Sequence, residues 1–147
     1  MLSTDPALDV GALLERAARG WLRALDRWLV QGGFTELDVQ ARSVLVALVD
    51  HDGIRMSDLA RRLSLSNSTV TTASRDLAER GLVERRDDPV DGRAARLFLT
   101  DAGRVDARAV ADRIGEFEAR ILSKLPAESA SFCAALRALA GIPATRR

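Results

Sequence analysis

A mainly α fold carrying one small β-hairpin is what this sequence predicts. Apolar residues recur at helical spacing through most of its 147 residues. The period shortens to strand-like runs only between Leu82 and Leu99, and those runs flank a loop of turn residues, Asp88-Pro89-Val90-Asp91-Gly92. About six helices and two to three short strands are expected on that pattern.

From Pro6 to Val30 the apolar residues Val10, Leu14, Ala17, Trp21, Leu25 and Trp28 fall on one helical stripe, with Thr4 or Asp5 as the N-cap and Gly32-Gly33 as the stop. Leu13, Leu22 and Leu29 widen the stripe, so this helix is expected to be covered on more than one side. Asp38 caps a second helix through Val39, Ala41, Val44, Leu45 and Leu48, ending near His51-Asp52-Gly53. Ile54-Arg55 has room only for a brief strand. Ser57 is read as the cap of a short third helix with Leu59, Ala60 and Leu63 inward. Ser66 is read as the cap of a fourth, with Val70, Ala73 and Leu77 inward and Gly81 at its end. Strands follow from Val83 to Arg86 and from Ala95 to Leu99. Thr100 then caps a long helix whose stripe passes through Val110, Ile114, Phe117 and Ile121, and Pro126 opens a last helix with Phe132, Leu136 and Leu139 inward.

Two short helices joined by a tight turn and followed by a hairpin make a winged helix-turn-helix, the arrangement that lays its second helix in a major groove. Residues 1–34 are expected to form an N-terminal dimerisation helix, 35–100 the winged helix-turn-helix DNA-binding domain, and 101–147 C-terminal dimerisation helices, all in one intertwined folding unit. The terminal segments carry the broadest apolar stripes, as an interlocked two-fold dimer requires. The alternative is that they cover a single-chain core.

Behind the cap Ser66, the outward face of the fourth helix offers Asn67, Ser68, Thr69, Thr71, Thr72, Ser74 and Arg75. Short hydroxyl, amide and guanidinium groups reach base edges or phosphates at low desolvation cost. A merely solvated Ser/Thr face is the plainer alternative. Arg93 stands just past the turn Asp91-Gly92, where a cation can enter a narrow minor groove. Asp91 is placed to hold that guanidinium, which alone would be a surface ion pair of little worth. Arg85, Arg86 and Arg96 are expected at flanking phosphates, while Asp87, Asp88 and Asp91 keep the hairpin from being uniformly basic.

The run Leu59-Ala60, Leu63, Leu65-Ser66, Ser68-Thr69-Val70-Thr71, Leu77, Glu79 to Arg86, Asp88-Pro89, Asp91, Arg93, Leu99-Thr100 and Gly103 resembles the MarR family of bacterial transcriptional regulators. The resemblance implies a homodimer whose first and last two helices interlock, with two winged domains on a pseudo-palindromic operator of double-stranded DNA. It further implies a sequence-specific repressor that answers to a small, often aromatic anionic effector held between the dimer helices and the winged domain. Trp21, Trp28, Phe34, Arg42 and His51 are the candidates to line that cleft, although a Trp stripe at helical spacing also suits plain core. The chain departs from the family at Thr72, where an arginine is common, and at Arg75-Asp76, where the charge order is reversed. Arg75 is therefore a stronger base-reading candidate than Thr72. Cysteine oxidation is the family's other signal, and Cys133 on the last helix is the one residue that could carry it, against its reading as a small buried hydrophobe.

Composition excludes other classes. One cysteine and one histidine assemble neither a disulfide framework nor a metal site, and no cofactor motif is present. A single histidine without a glycine-rich phosphate loop or nucleophile elbow argues against an enzyme. The net charge of +1 leaves any attraction for DNA to local geometry, although the cations are nearly all arginine, with Lys124 the sole lysine. No apolar run approaches the roughly 20 residues of a membrane span, and Asp5 and Asp9 stand where a secretory signal is basic, so a cytoplasmic location is expected. A winged helix that binds protein instead of DNA would need an apolar face on the fourth helix, and Asn67 to Arg75 offers none.

Overall fold

The computed structural model describes residues 9–34, 37–124 and 129–139. Among them run α1 (Val10–Gln31), α2 (Val39–Asp50), β1 (Ile54–Arg55), α3 (Met56–Leu63), α4 (Asn67–Glu79), β2 (Val83–Asp87), β3 (Ala95–Leu99), α5 (Asp101–Leu122) and α6 (Ser129–Leu139). The strands form one antiparallel sheet in the order β1-β3-β2, with Ile54 opposite Leu97 and Val83 opposite Leu99. The chain divides within α5 into two compact units, Met1–Ile114 and Gly115–Arg147. By this division α1 falls in the first unit, with the winged region.

The core of the first unit is built around α2. Its residues Ala41, Val44, Leu45 and Leu48, spaced i, i+3, i+4 and i+7, are fully buried. They meet Leu59 of α3, Val70 and Leu77 of α4, and Leu97 of β3, all equally buried. Each such leucine contributes about 1.5–3 kcal/mol by leaving water, which makes this cluster the chief force holding α4 in place.

Helix ends follow local chemistry, with one exception. Asp38 accepts from Ala41 N at 2.8 Å and Ser66 from Thr69 N at 3.0 Å, as N-caps should. Ser57, in contrast, lies inside α3. The strand residue Arg55 occupies the cap position with no side-chain cap bond, because β1 runs straight into the helix. At the other end of α3, Ser64 takes a left-handed conformation (φ 54°) and Leu65 N donates to Ala60 O at 2.9 Å, closing the tight turn into α4.

Thr100 joins three elements. Its Oγ1 accepts from Gly103 N at 2.9 Å, capping α5, and donates to Gly81 O at 2.7 Å, while its N–H donates to Leu82 O. The backbones approach so closely that a Cβ on Gly103 would stand 1.7 Å from the Leu82 carbonyl oxygen.

The first helix is described from Val10, with Asp9 accepting from Ala12 N; the expected start at Thr4, Asp5 and Pro6 lies outside the described residues. Leu25 and Leu29 are buried, but Val10 and Leu13 are exposed. Phe132 and Leu136 of α6, expected to face inward, are exposed in the single chain as described. Pro126 and the side chain of Leu139 lie outside the described residues.

Candidate nucleic-acid interface

The apolar stripe Val70, Ala73 and Leu77 seats α4 on the core and turns its opposite face outward. On that face Ser68, Thr72 and Arg75 follow one another at i, i+4 and i+7, all exposed, with Asn67 and Ser66 exposed at the N-terminal end. Thr69 and Thr71 are half-buried flanks. Thr71 Oγ1 donates to Asn67 O at 2.8 Å, and Thr69 Oγ1 lies 2.7 Å from Ser66 Oγ. Ser74 leaves the set: it is buried, with Oγ donating to Val70 O at 2.6 Å. An unsuspected neighbour joins it, since Gln40 and Asp38 of α2 border a depression of about 280 Å³ with Ser68, Thr69 and Thr72. An exposed polar residue in a first helical turn carries no periodic signal, so Gln40 could not be found from sequence.

The wing is organised by Asp88, whose side chain is wholly buried. Oδ1 accepts from Val90 N and Asp91 N at 2.9 and 3.1 Å, which folds the loop around the carboxylate. Arg55 of β1 donates through Nε and Nη2 at 2.7 and 3.1 Å, and Arg96 of β3 through Nε at 2.7 Å. Arg55, the Val90 N–H, Arg96 and the Asp91 N–H together outweigh burial and hold the Asp88 carboxyl well below the usual carboxylate range. A buried charge is tolerable only when paired and hydrogen-bonded this fully.

That arrangement changes two readings of the hairpin. Arg96, expected at a flanking phosphate, is also a clamp residue, with Nε on Asp88 at 2.7 Å and Nη1 on Gly53 O at 2.8 Å. Asp91 holds the backbone of Arg93 (N to Oδ1, 3.1 Å), and the Arg93 guanidinium pairs with no carboxylate among the described residues. Arg93 is thus an exposed cation at the tip of a pinned loop, beside Val90, which is 85% exposed. Arg85 is exposed on β2. Arg86 pairs with Glu84 at 2.8 Å and lies over the Phe98 ring, 4.5 Å from its centroid, so its head group stays at the surface on an apolar seat. Arg55 went unrecognised in the sequence, because a partner 33 residues away leaves no local pattern.

The candidate effector residues are divided by the structure. Phe34 and Arg42 line one cavity of about 360 Å³ with Asp26, Leu29, Leu37 and Val110. Trp21, Trp28 and His51 do not line it. Trp28 donates from Nε1 to Arg113 O at 3.1 Å and its ring lies under the Arg113 guanidinium, while His51 occupies the C-cap of α2. Cys133 is half-buried on α6.

A capped polar helix on a tight-turn partner, flanked by a pinned three-stranded wing, defines a winged helix-turn-helix protein. A sequence model of the MarR family matches residues 39–95, from the start of α2 into β3. The PcaV transcriptional regulator from Streptomyces coelicolor, solved in complex with its natural ligand, is 31% identical with a TM-score of 0.79 over 96% of this chain and 98% of that one. The chain belongs to the MarR family. It is also similar to CouR from Rhodococcus jostii RHA1, solved bound to p-coumaroyl-CoA, at 28% identity and a TM-score of 0.77 over 96% of this chain and 97% of that one. The HTH-type transcriptional regulator YdgJ of Bacillus subtilis is 32% identical over 90 residues, 60% of this chain, a match that spans 55% of the length of YdgJ.

Proposed function

We propose that this chain is a transcriptional regulator that binds double-stranded DNA sequence-specifically as a homodimer in the cytoplasm, represses by occupying a pseudo-palindromic operator, responds to a small effector, and performs no catalysis. One observation carries this reading: the exposed line Ser68, Thr72 and Arg75 lies on a rigidly seated helix, followed in the chain by a wing whose tip cation Arg93 is held out by the buried Asp88. The polar rod suits base edges in a major groove and the arginine tip the adjacent minor groove. Arg85 and Arg86 are placed in this reading at flanking phosphates, and Asp91 at the base of the Arg93 backbone.

A second copy of the chain supplies the cover that Val10, Leu13, Phe132 and Leu136 lack. Two α4 helices related by its two-fold axis would then enter major grooves about 34 Å apart. Effector response is supported by the cavity at Phe34 and Arg42 and by the ligands held by PcaV and CouR. Selection of bound DNA from a random pool, with sedimentation of the purified protein, tests the proposal. A palindromic consensus and a dimer mass are expected; absence of salt-sensitive affinity for any duplex would overturn it.

A further inference from the structure

Among the described residues eight large apolar side chains are exposed, and seven of them lie on α1, α5 and α6. Those helices are the ones that the dimer reading pairs with a second copy of the chain. The eighth, Val90, is on the wing and is the most exposed of all, at 85%. Loop tips are ordinarily polar, and the rest of this one, Asp88, Asp91, Gly92 and Arg93, conforms. Val90 is also held where it is. Asp88 Oδ1 accepts from the N–H groups of both Val90 and Asp91, Ala94 N donates to Asp91 O, and Asp88 N donates to Ala94 O. The exposed Pro89 stiffens the tip further, because its ring fixes φ. The fold thus holds a rigid apolar pair, Pro89-Val90, in water, three residues before the exposed cation Arg93.

We propose that Val90 is a specificity residue for DNA: it packs against the deoxyribose walls of the minor groove that Arg93 enters, and makes the wing select base pairs where that groove is narrow. The inference rests on the reading of the chain as a duplex-binding regulator and adds to it a contact that is neither charged nor hydrogen-bonded. Proteins of the minor groove combine cations with apolar side chains in the same groove. The groove is about 6 Å wide in ordinary duplex and narrower in A-tracts, so both walls come within reach of a branched side chain only at A·T-rich steps. At a G·C pair the same side chain would cover the guanine N2 amino donor without pairing it, which costs free energy. Valine suits the task because its β-branching leaves little rotamer freedom to lose on contact. Arg93 responds to the negative potential of a narrow groove, whereas Val90 responds to its width.

Fluorescence anisotropy on the operator obtained by selection tests the inference, with salt titrations of the unaltered protein, Val90→Ala and Val90→Thr. The first variant removes both methyl groups, and the second keeps the branching but replaces one methyl by a hydroxyl. Affinity should fall about three- to tenfold in Val90→Ala and by less in Val90→Thr, as expected for a partly buried apolar contact. The salt slope should stay that of the unaltered protein, because an apolar contact releases no counterion, in contrast to Arg93→Ala. Operators carrying A·T or G·C at the pairs under the wing, located by hydroxyl-radical footprinting, complete the test: the preference for A·T should shrink in both variants. Unchanged affinity and unchanged preference in Val90→Ala overturn the inference and leave the DNA-binding reading standing. An equal loss on both kinds of operator overturns it too, as does a lowered salt slope, which would mean that Val90 acts only by placing Arg93. Absence of salt-sensitive affinity in the unaltered protein overturns both the inference and the reading beneath it.

Discussion

Arg55 and Asp88 lie 33 residues apart and meet through a two-point bond, Nε to Oδ2 at 2.7 Å and Nη2 to Oδ1 at 3.1 Å. Because Arg55 sits at the junction of β1 and α3, and Asp88 at the base of the wing, the bond fixes the hairpin to the helix-turn-helix. The loop that carries Arg93 is therefore tied down by groups at its base.

Asp88→Asn should loosen the wing while leaving α4 seated. The variant keeps the shape of the side chain but removes the charge that Arg55 and Arg96 share. Fluorescence anisotropy on the selected operator should show an affinity loss of about tenfold, comparable to losing one good groove contact. Unchanged affinity would mean the clamp does not position Arg93.

The same carboxylate predicts an acid limit to stability. The Asp88 carboxyl lies below its ordinary value, chiefly because Arg55 and the Val90 N–H bind the charged form. At Asp52, burial raises the carboxyl, but the Leu99 N–H and Arg104 outweigh it and the net shift is also downward. A depressed folded-state pKa contributes stability that is fully present above the unfolded value of about 3.9 and is lost as pH falls through the folded value. Urea melts should hold level near neutrality, weaken below about pH 4, and weaken less steeply there in Asp88→Asn.

Arg93→Ala and Arg75→Ala should fail differently. The first should weaken binding to all duplexes and lower the salt slope by about 1, as expected for one lost charge contact. The second should relax discrimination at one or two base pairs by about 1–3 kcal/mol. Equal losses on every sequence for Arg75→Ala would remove its reading role.

Ser66→Ala deletes the acceptor for Thr69 N and should cost about 1 kcal/mol in thermal melts, with fraying confined to the start of α4. Hydrogen exchange at the amides of residues 67–69 checks the location.

Gly103→Ala tests the α5 approach. In an open helix the change would gain about 1 kcal/mol. Here the new methyl meets the Leu82 carbonyl, so a loss of at least about 1–3 kcal/mol is expected, measured as a lower urea midpoint. A stabilised variant would show that the contact between α5 and the turn before β2 is soft.

Elements whose causes are local were legible in the sequence. The i, i+3, i+4 and i+7 burial of α2, the caps at Asp38, Ser66 and Thr100, and the paired runs around a turn-rich loop each depend on residues within one or two turns of each other. So does the exposed polar line of α4, which follows once Val70, Ala73 and Leu77 are assigned inward. Ser57 misled because β1 feeds α3 without a break, and a strand residue took the cap position.

Sequence alone determined the winged helix-turn-helix, its polar helix and its arginine-tipped wing, since helical period, capping and turn chemistry are short-range properties. Tertiary structure decided which arginines are available. Arg96 and Arg55 are drawn onto Asp88, Arg42 is buried beside Asp26, and Arg93 is left exposed. A charged side chain's partner is chosen by proximity in space, and the partners here lie 8 to 33 residues away along the chain, beyond the reach of any local pattern.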